Sequence, residues 1–457
     1  MHSAKRQLRD VLQAWRKQAA AESLTLALAI DPAELDSPDD AAALGAIFSA
    51  CGELTPARES FKHAWQMAPE RFDLMQSYAG ALTAAGQFAE AEDILNKAAR
   101  QRPEDAHIWY ALAFNRKQTE ENNPIDKIKS LLKAGSVHER DQVFLHYALG
   151  KCLEDTSNYD GAFTHFEAGA RLRRGHMRYD VGPDVKGMAK LREIFTKETL
   201  SQNLASDIAD CRPIFVLGLP RSGTTLIERI ISAHLDVGSI GEATTFTHAL
   251  GTLIEQSSGG QRLAREQAIE HSLQLDPNAL GRAYIEGIEP RSHGHVRIVD
   301  KMPLNFLYIG LIRKALPHAK IILVRRGALD NCWAMFSTLF RQAYPFTYNF
   351  DELSDYYAGF DALMSHWTTI CGPDILSVNY EDVTENLEGE ARRIIDYLDL
   401  DWQEDCLSFH KNSAPTATAS AAQVRSPIYK SSVGRWQRFG SHLDPLKDAL
   451  ESRGITL

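Results

Sequence analysis

Residues 213–234, PIFVLGLPRSGTTLIERIISAH, decide how this chain is read. Ile214 to Leu217 is an apolar run short enough for a buried parallel strand. A turn follows, Gly218-Leu219-Pro220-Arg221-Ser222-Gly223. Thr224 and Thr225 then open a helix whose apolar positions are Leu226, Ile227, Ile230 and Ile231. A strand, a glycine-bounded turn and a helix N-terminus together form an anion cradle, with backbone N–H groups and the positive end of the helix dipole behind it. The spacing matches GxxxxGK[ST], except that Thr224 stands where that nucleotide loop has lysine. Arg221 is the only nearby cation, so an ordinary ATPase or GTPase would lack the charge that steadies its terminal phosphates. The plainer alternative is a tight strand-to-helix turn with no ligand.

These residues resemble the 5′-phosphosulfate loop of sulfotransferases, which carry PRSGTT or PKSGTT here. The resemblance implies a 3′-phosphoadenylyl sulfate (PAPS) donor, with Arg221, Ser222, Gly223, Thr224, Thr225 and Leu226 as binding residues.

Working outward, 457 residues fit two or three domains. Hydrophobic content of 44% and charged content of 24% describe an ordinary globular chain. A net charge of −10 argues against a general nucleic-acid binder. Cys51, Cys152, Cys211, Cys332, Cys371 and Cys406 are far apart and read as small hydrophobes, with no disulfide framework or metal site expected. The start, MHSAKRQLRDVLQAW, lacks a signal-peptide core, and no run of 18 apolar residues occurs. The expected location is cytoplasmic, with no membrane contact.

The N-terminal half repeats. A frame carrying Leu44, Gly45, Phe48, Ala57, Phe61, Ala64 and Pro69 recurs on a shift of 34, where it carries Ala79, Leu82, Gly86, Ala91, Leu95, Ala98 and Pro103. Weaker copies carry Trp109, Leu112 and Ala113, then Leu149, Gly150, Ala162 and Phe166. Small residues let paired helices approach, and large ones fill the space between repeats. The pattern resembles tetratricopeptide (TPR) repeats over 38–172, with one helix from about Lys5 to Ala29 starting the stack. The alternative is an unrelated helical bundle. Such an array offers a face to a protein partner, or packs on the second half and shapes its cleft. A linker helix is expected over Asp184–Thr199.

After the loop, Val237-Gly-Ser-Ile-Gly-Glu242 predicts a strand ending in a carboxylate, similar to the Gly-Glu segment of tyrosylprotein sulfotransferases, where the glutamate is the catalytic base. A solvated loop glutamate is the alternative. Residues 255–295 read as a polar, helical, peripheral insertion. Val296 to Val299 predicts a strand that runs into Asp300-Lys301-Met302-Pro303. A lysine at the carboxyl end of a parallel strand lies where open α/β sheets bind ligands. It resembles the Lys-Asp-Pro element whose lysine acts on the bridging oxygen, although a surface lysine is the alternative.

Lys320 to Val324 predicts another strand, followed by Arg325, Arg326, Gly327 and a helix over Leu329–Leu339. The arrangement resembles the 3′-phosphate motif, but Ala334 occupies the place of its serine, eight residues after Arg326. Ser337 lies one turn further on. An aromatic helix, Leu353–Cys371, reads as core or cleft wall. The strand Ile375–Val378 leads to Tyr380, which matches the tyrosine beside the adenine or is simply a strand-end tyrosine. The segment 420–439 resembles a cofactor-covering segment, which implies Ser420 and Arg435 facing the nucleotide.

The expected architecture is an all-α TPR solenoid (1–172), a linker helix (173–212) and a P-loop-like α/β sulfotransferase domain with a central parallel sheet (213–457). The expected reaction is sulfuryl transfer from PAPS to a hydroxyl acceptor, with a tyrosine or other group on a peptide or protein favoured and no metal. Glu242 would take the proton, and Lys301 and Arg221 would stabilise the departing oxygen. Arg325 and Arg326 would hold the 3′-phosphate. The rival reading is a TPR protein-binding scaffold whose nucleotide-binding α/β domain does not turn over.

Overall fold

The computed structural model describes residues 2–17, 20–135, 137–201, 207–340, 343–412, 423–428 and 430–457. Antiparallel helix pairs fill the first part of the chain. Pro38–Ala50 pairs with Leu54–Met67, Phe72–Ala85 with Phe88–Gln101, and Glu139–Asp155 with Tyr159–Gly175. The glycine of the repeat pattern has a steric cause. A Cβ on Gly45 would lie 2.9 Å from the Phe61 ring, and one on Gly150 would lie 2.9 Å from the Phe166 ring. In each pair the aromatic of the second helix presses on the bare backbone of the first, which closes the helices together.

The expected single helix over Lys5–Ala29 is instead two, His2–Arg16 and Ala20–Leu28. Folding back packs Leu8 and Val11 into one core with Leu24 and Ala27. The buried Ser23 hydroxyl donates to the Val11 carbonyl at 3.1 Å and ties the hairpin. A straight helix would have left those apolar positions uncovered. The linker reading also divides, into Gly182–Ile194 and Lys197–Ser201.

Five strands form one parallel sheet: β1 (Pro213–Gly218), β2 (Val237–Gly241), β3 (Arg297–Asp300), β4 (Lys320–Arg325) and β5 (Ile375–Asn379), in the order β2-β3-β1-β4-β5. All six residues of β1 are buried, as a strand covered by helices on both faces requires. The chain leaves β1 toward β2 and β3 on one side and toward β4 and β5 on the other. Such a switch point opens a crevice at the carboxyl ends of the strands.

The last repeats and the sheet share a core. One buried cluster runs from Ala106, Tyr147 and Phe166 through Phe215 and Leu323 to Trp333 and Leu450. The Tyr147 hydroxyl donates to the Phe336 carbonyl at 3.1 Å, and Phe163 stacks on Trp333. No helix among the described residues is long and apolar enough to cross a membrane.

Candidate active site

At the end of β1 the backbone makes two left-handed steps, Arg221 (φ 65°) and Gly223 (φ 107°), before the helix Thr224–Ile231 begins. The Ser222 amide donates to Leu219 and the Leu226 amide to Gly223, closing the turn. A Cβ on Gly223 would lie 2.5 Å from the Tyr380 ring, so only glycine lets the tyrosine cover the loop. The Ser222 hydroxyl is buried and has no hydrogen-bond partner among the described residues. Thr224 and Thr225 are buried at the first turn. The Leu226 side chain belongs to the core under the sheet, so only its backbone faces the loop. The Arg221 guanidinium reaches Gln423 Oε1 at 2.9 Å.

Across the crevice, Lys301 follows β3 and Glu242 follows β2. Lys301 Nζ donates to Glu242 Oε1 at 2.6 Å, although the two residues are 59 apart in sequence. The lysine side chain is fully buried, whereas that of Glu242 is 39% exposed. A buried ammonium is thus held against an accessible carboxylate. Behind them, Asp300 is buried and accepts from the Tyr284 hydroxyl at 3.1 Å and from Asn305 Nδ2 at 3.2 Å. Burial pushes its pKa up to about 7, against the lowering effect of those hydrogen bonds and of nearby Arg291 and Lys301. Tyr284 lies within the stretch expected to be a peripheral insertion. That stretch is helical, but its helix Pro277–Ile288 buries Leu280 and Tyr284 behind the site.

The two arginines after β4 part company. Arg326 donates to the carbonyls of Arg221 (3.2 Å) and Ser432 (2.5 Å) and lies over the Tyr380 ring at 4.9 Å. Its side chain is 8% exposed, and among the described residues its nearest carboxylate is Asp330 at 3.9 Å and its Nε is buried without a partner. Burial lowers the pKa of this guanidinium. Arg325 pairs instead with Asp361 on the helix Phe350–Cys371. Successive side chains at a strand end point to opposite sides, so only one of the two reaches the loop.

Of the covering segment, Ser420 lies outside the described residues. Arg435 binds the carboxylate of Glu154 in the last repeat, with Nε to Oε1 at 2.5 Å, and donates to Ser337 Oγ at 3.3 Å. It is brought close enough to Arg326 to disfavour the latter's charge. The Tyr380 hydroxyl meets Ser432 Oγ at 2.6 Å. Asp330 caps the segment by accepting the amides of Gly434 (2.6 Å) and Trp436 (3.2 Å).

Residues 213–404 match the sequence profile described as Sulfotransferase family, and residues 3–130 match the Cytochrome c-type biogenesis protein H TPR domain. The second half of the chain is therefore similar to the sulfotransferase family, and the first part to a TPR domain. An uncharacterised protein of Aquifex aeolicus is 29% identical over 401 residues, which cover 86% of this chain and 52% of that protein. The chain thus spans about half the length of that relative. Protein-tyrosine sulfotransferase 1 of Danio rerio is 24% identical over 251 residues, 51% of this chain and 69% of that protein. Among solved structures, the sulfotransferase domain of the Synechococcus PCC 7002 olefin synthase aligns at 16% identity with a TM-score of 0.37, covering 55% of this chain and 98% of that domain.

Proposed function

We propose that the protein transfers a sulfuryl group from PAPS to a hydroxyl acceptor. The observation that carries this reading is the buried Lys301 held at 2.6 Å from Glu242, at the strand ends beside the loop. The donor fits the residues present. A buried hydroxyl at Ser222 and a buried guanidinium at Arg326, each with an unpartnered polar atom, would take the 5′ and 3′ anionic groups. Tyr380, lying over Gly223, would lie against the adenine. When bound, the donor supplies the sulfuryl group and a nucleotide bisphosphate as leaving group.

Glu242 takes the proton of the acceptor hydroxyl as its oxygen bonds to sulfur. Lys301 and Arg221 hold the bridging oxygen as it keeps the electron pair of the breaking S–O bond. Loss of either cation would cost on the order of 10²–10³ in turnover, as for one preorganised donor at a developing oxyanion. A carboxylate base suits a phenol, and several relatives are named protein-tyrosine sulfotransferases. A tyrosine on a peptide is therefore the favoured acceptor. A groove of about 1060 Å³ in the array, lined by Phe61, Arg71, Gln76, Ala84 and Arg102, would present it.

Calorimetric titration with adenosine 3′,5′-bisphosphate and with AMP tests the reading. Binding of the bisphosphate far above AMP, lost in Arg221→Ala, supports it. Absence of binding to folded protein returns the function to the array as a scaffold, the reading that Ala334 favours.

A further inference from the structure

We infer that Glu228 is a positioning residue for Lys301, a fixed counter-ion that keeps the ammonium charged and aimed while Glu242 holds a proton. The inference rests on the roles proposed for Glu242 and Lys301, and it adds a third member to which the sequence reading gave no role.

The argument begins with burial. Lys301 is fully enclosed, and an enclosed ammonium needs a nearby negative charge throughout the reaction. Glu242, at 2.6 Å, supplies that charge at rest. It loses it in the step assigned to it, because the acceptor's proton neutralises the carboxylate just as negative charge builds on the departing oxygen. A second counter-charge is therefore required at that moment. Asp300 is adjacent in sequence but poorly suited. It is fully buried, already engaged by Tyr284 and Asn305, and its pKa of about 7 leaves it partly neutral at physiological pH.

Glu228 meets the requirement. Its Oε2 lies 3.7 Å from Lys301 Nζ, and its side chain is 9% exposed, so it cannot swing to solvent. Its other oxygen, Oε1, accepts the Ser239 hydroxyl at 2.6 Å. Ser239 Oγ in turn accepts the Gly241 amide at 3.1 Å, and the Gly241 carbonyl accepts the Lys301 amide at 3.0 Å. A chain of three hydrogen bonds thereby links the loop helix to β2 and to the end of β3, and the 3.7 Å ion pair between Glu228 and Lys301 closes it around the ammonium. Glu228 is anchored to the same backbone that carries both Glu242 and Lys301, whereas Glu242 sits on the solvent side of the pair. This division of labour gives one mobile carboxylate for the proton and one immobile carboxylate for the charge.

The test uses the full chain, radiolabelled PAPS, and p-nitrophenol or water as acceptor. Glu228→Gln keeps the shape and the Ser239 contact but removes the charge. It is expected to lower kcat about 10- to 100-fold, less than loss of Lys301 itself, while the donor KM and the Kd for adenosine 3′,5′-bisphosphate stay within about threefold. In a Lys301→Ala background the same substitution is expected to cost less than twofold, since residues that act as a unit are not additive. Ser239→Ala, at an exposed position, is expected to lower kcat several-fold in the same direction and serves as the second variant where Glu228→Gln fails to bind the bisphosphate. An unchanged kcat, or an equal loss with and without Lys301, overturns the role of Glu228. A wild-type protein that binds the bisphosphate but never turns over either acceptor overturns the catalytic reading beneath it, and is told apart by that binding.

Discussion

Replacing Arg326 with methionine would separate the proposed 3′-phosphate contact from the rest of nucleotide binding. The guanidinium is nearly enclosed, spends two N–H groups on backbone carbonyls, has a carboxylate no closer than 3.9 Å and leaves Nε unpartnered. A phosphate arriving there would replace neutral carbonyl acceptors with an anion, so the gain is mainly the charge–charge attraction. At 4 Å and an effective dielectric constant near 20 that attraction is about 4 kcal/mol, and desolvating the anion takes back part of it, leaving about 3 kcal/mol. Arg326→Met is therefore expected to weaken adenosine 3′,5′-bisphosphate binding on the order of 10²-fold. AMP, which lacks the 3′ group, should weaken less than about threefold, and Arg326→Lys, which keeps the charge without the planar fork, should fall between. The assay is isothermal titration of both ligands with all three proteins, with melting temperature as control for folding. Equal losses for the two ligands would show that Arg326 merely supports the loop, and no loss would remove it from the site.

Gly223→Ala should strain a backbone at φ 107° and drive a methyl group into Tyr380, which lies 2.5 Å from that Cβ. A loss of about 1–3 kcal/mol in denaturant stability is expected, together with weaker bisphosphate binding; retention of both would mean Tyr380 moves aside freely. Asp300 holds its proton to about pH 7 in the fold but only to about 4 when unfolded. Its contribution to stability is thus fully present below pH 4 and is lost as pH rises through 7. Between pH 4.5 and 8 this amounts to about 3 kcal/mol, so Asp300→Asn should flatten the decline in urea stability by that order, and parallel profiles would refute the assignment.

The parts of the fold that rest on local pattern were legible. The five expected strands are the five of the sheet, and the recurring Gly45 and Gly150 marked close helix pairs because their steric role repeats. That Arg325 and Arg326 would face different ways was legible from the pleat, but which of them faces the loop was not. Glu228 had a weak signal, a lone carboxylate amid Leu226, Ile227, Ile230 and Ile231 in a helix buried throughout. Tyr284 was hidden because its helix mixes polar and apolar residues, and the large side chains it buries, Leu280, Tyr284 and Ile288, are a single stripe at four-residue spacing. Glu154 and Asp330 had no signal. Their partners, Arg435 for the first and the Gly434 and Trp436 amides for the second, lie 281, 104 and 106 residues away, and nothing local records such pairings.

Those distant contacts bear on how the two halves work together. The C-terminal segment reaches the loop through Gln423 and Arg221, and the ends of β4 and β5 through Ser432. The same segment reaches the array through Arg425 to the Ala84 carbonyl (3.0 Å), through Arg435 to Glu154, and through His442 to Asp160 (2.8 Å). An exposed pair such as His442–Asp160 contributes little by itself. Arg435–Glu154 is half-buried and bidentate, so its geometry is fixed as well as its charge. Ala84 lies in the array's groove, so the surface that would receive a partner also anchors the cover of the loop. An array that served only as a tether would need none of these bonds. Their presence, with a core continuous from Ala106 to Leu450, argues that the repeats help set the shape of the proposed nucleotide site as well as forming the groove proposed to receive a partner.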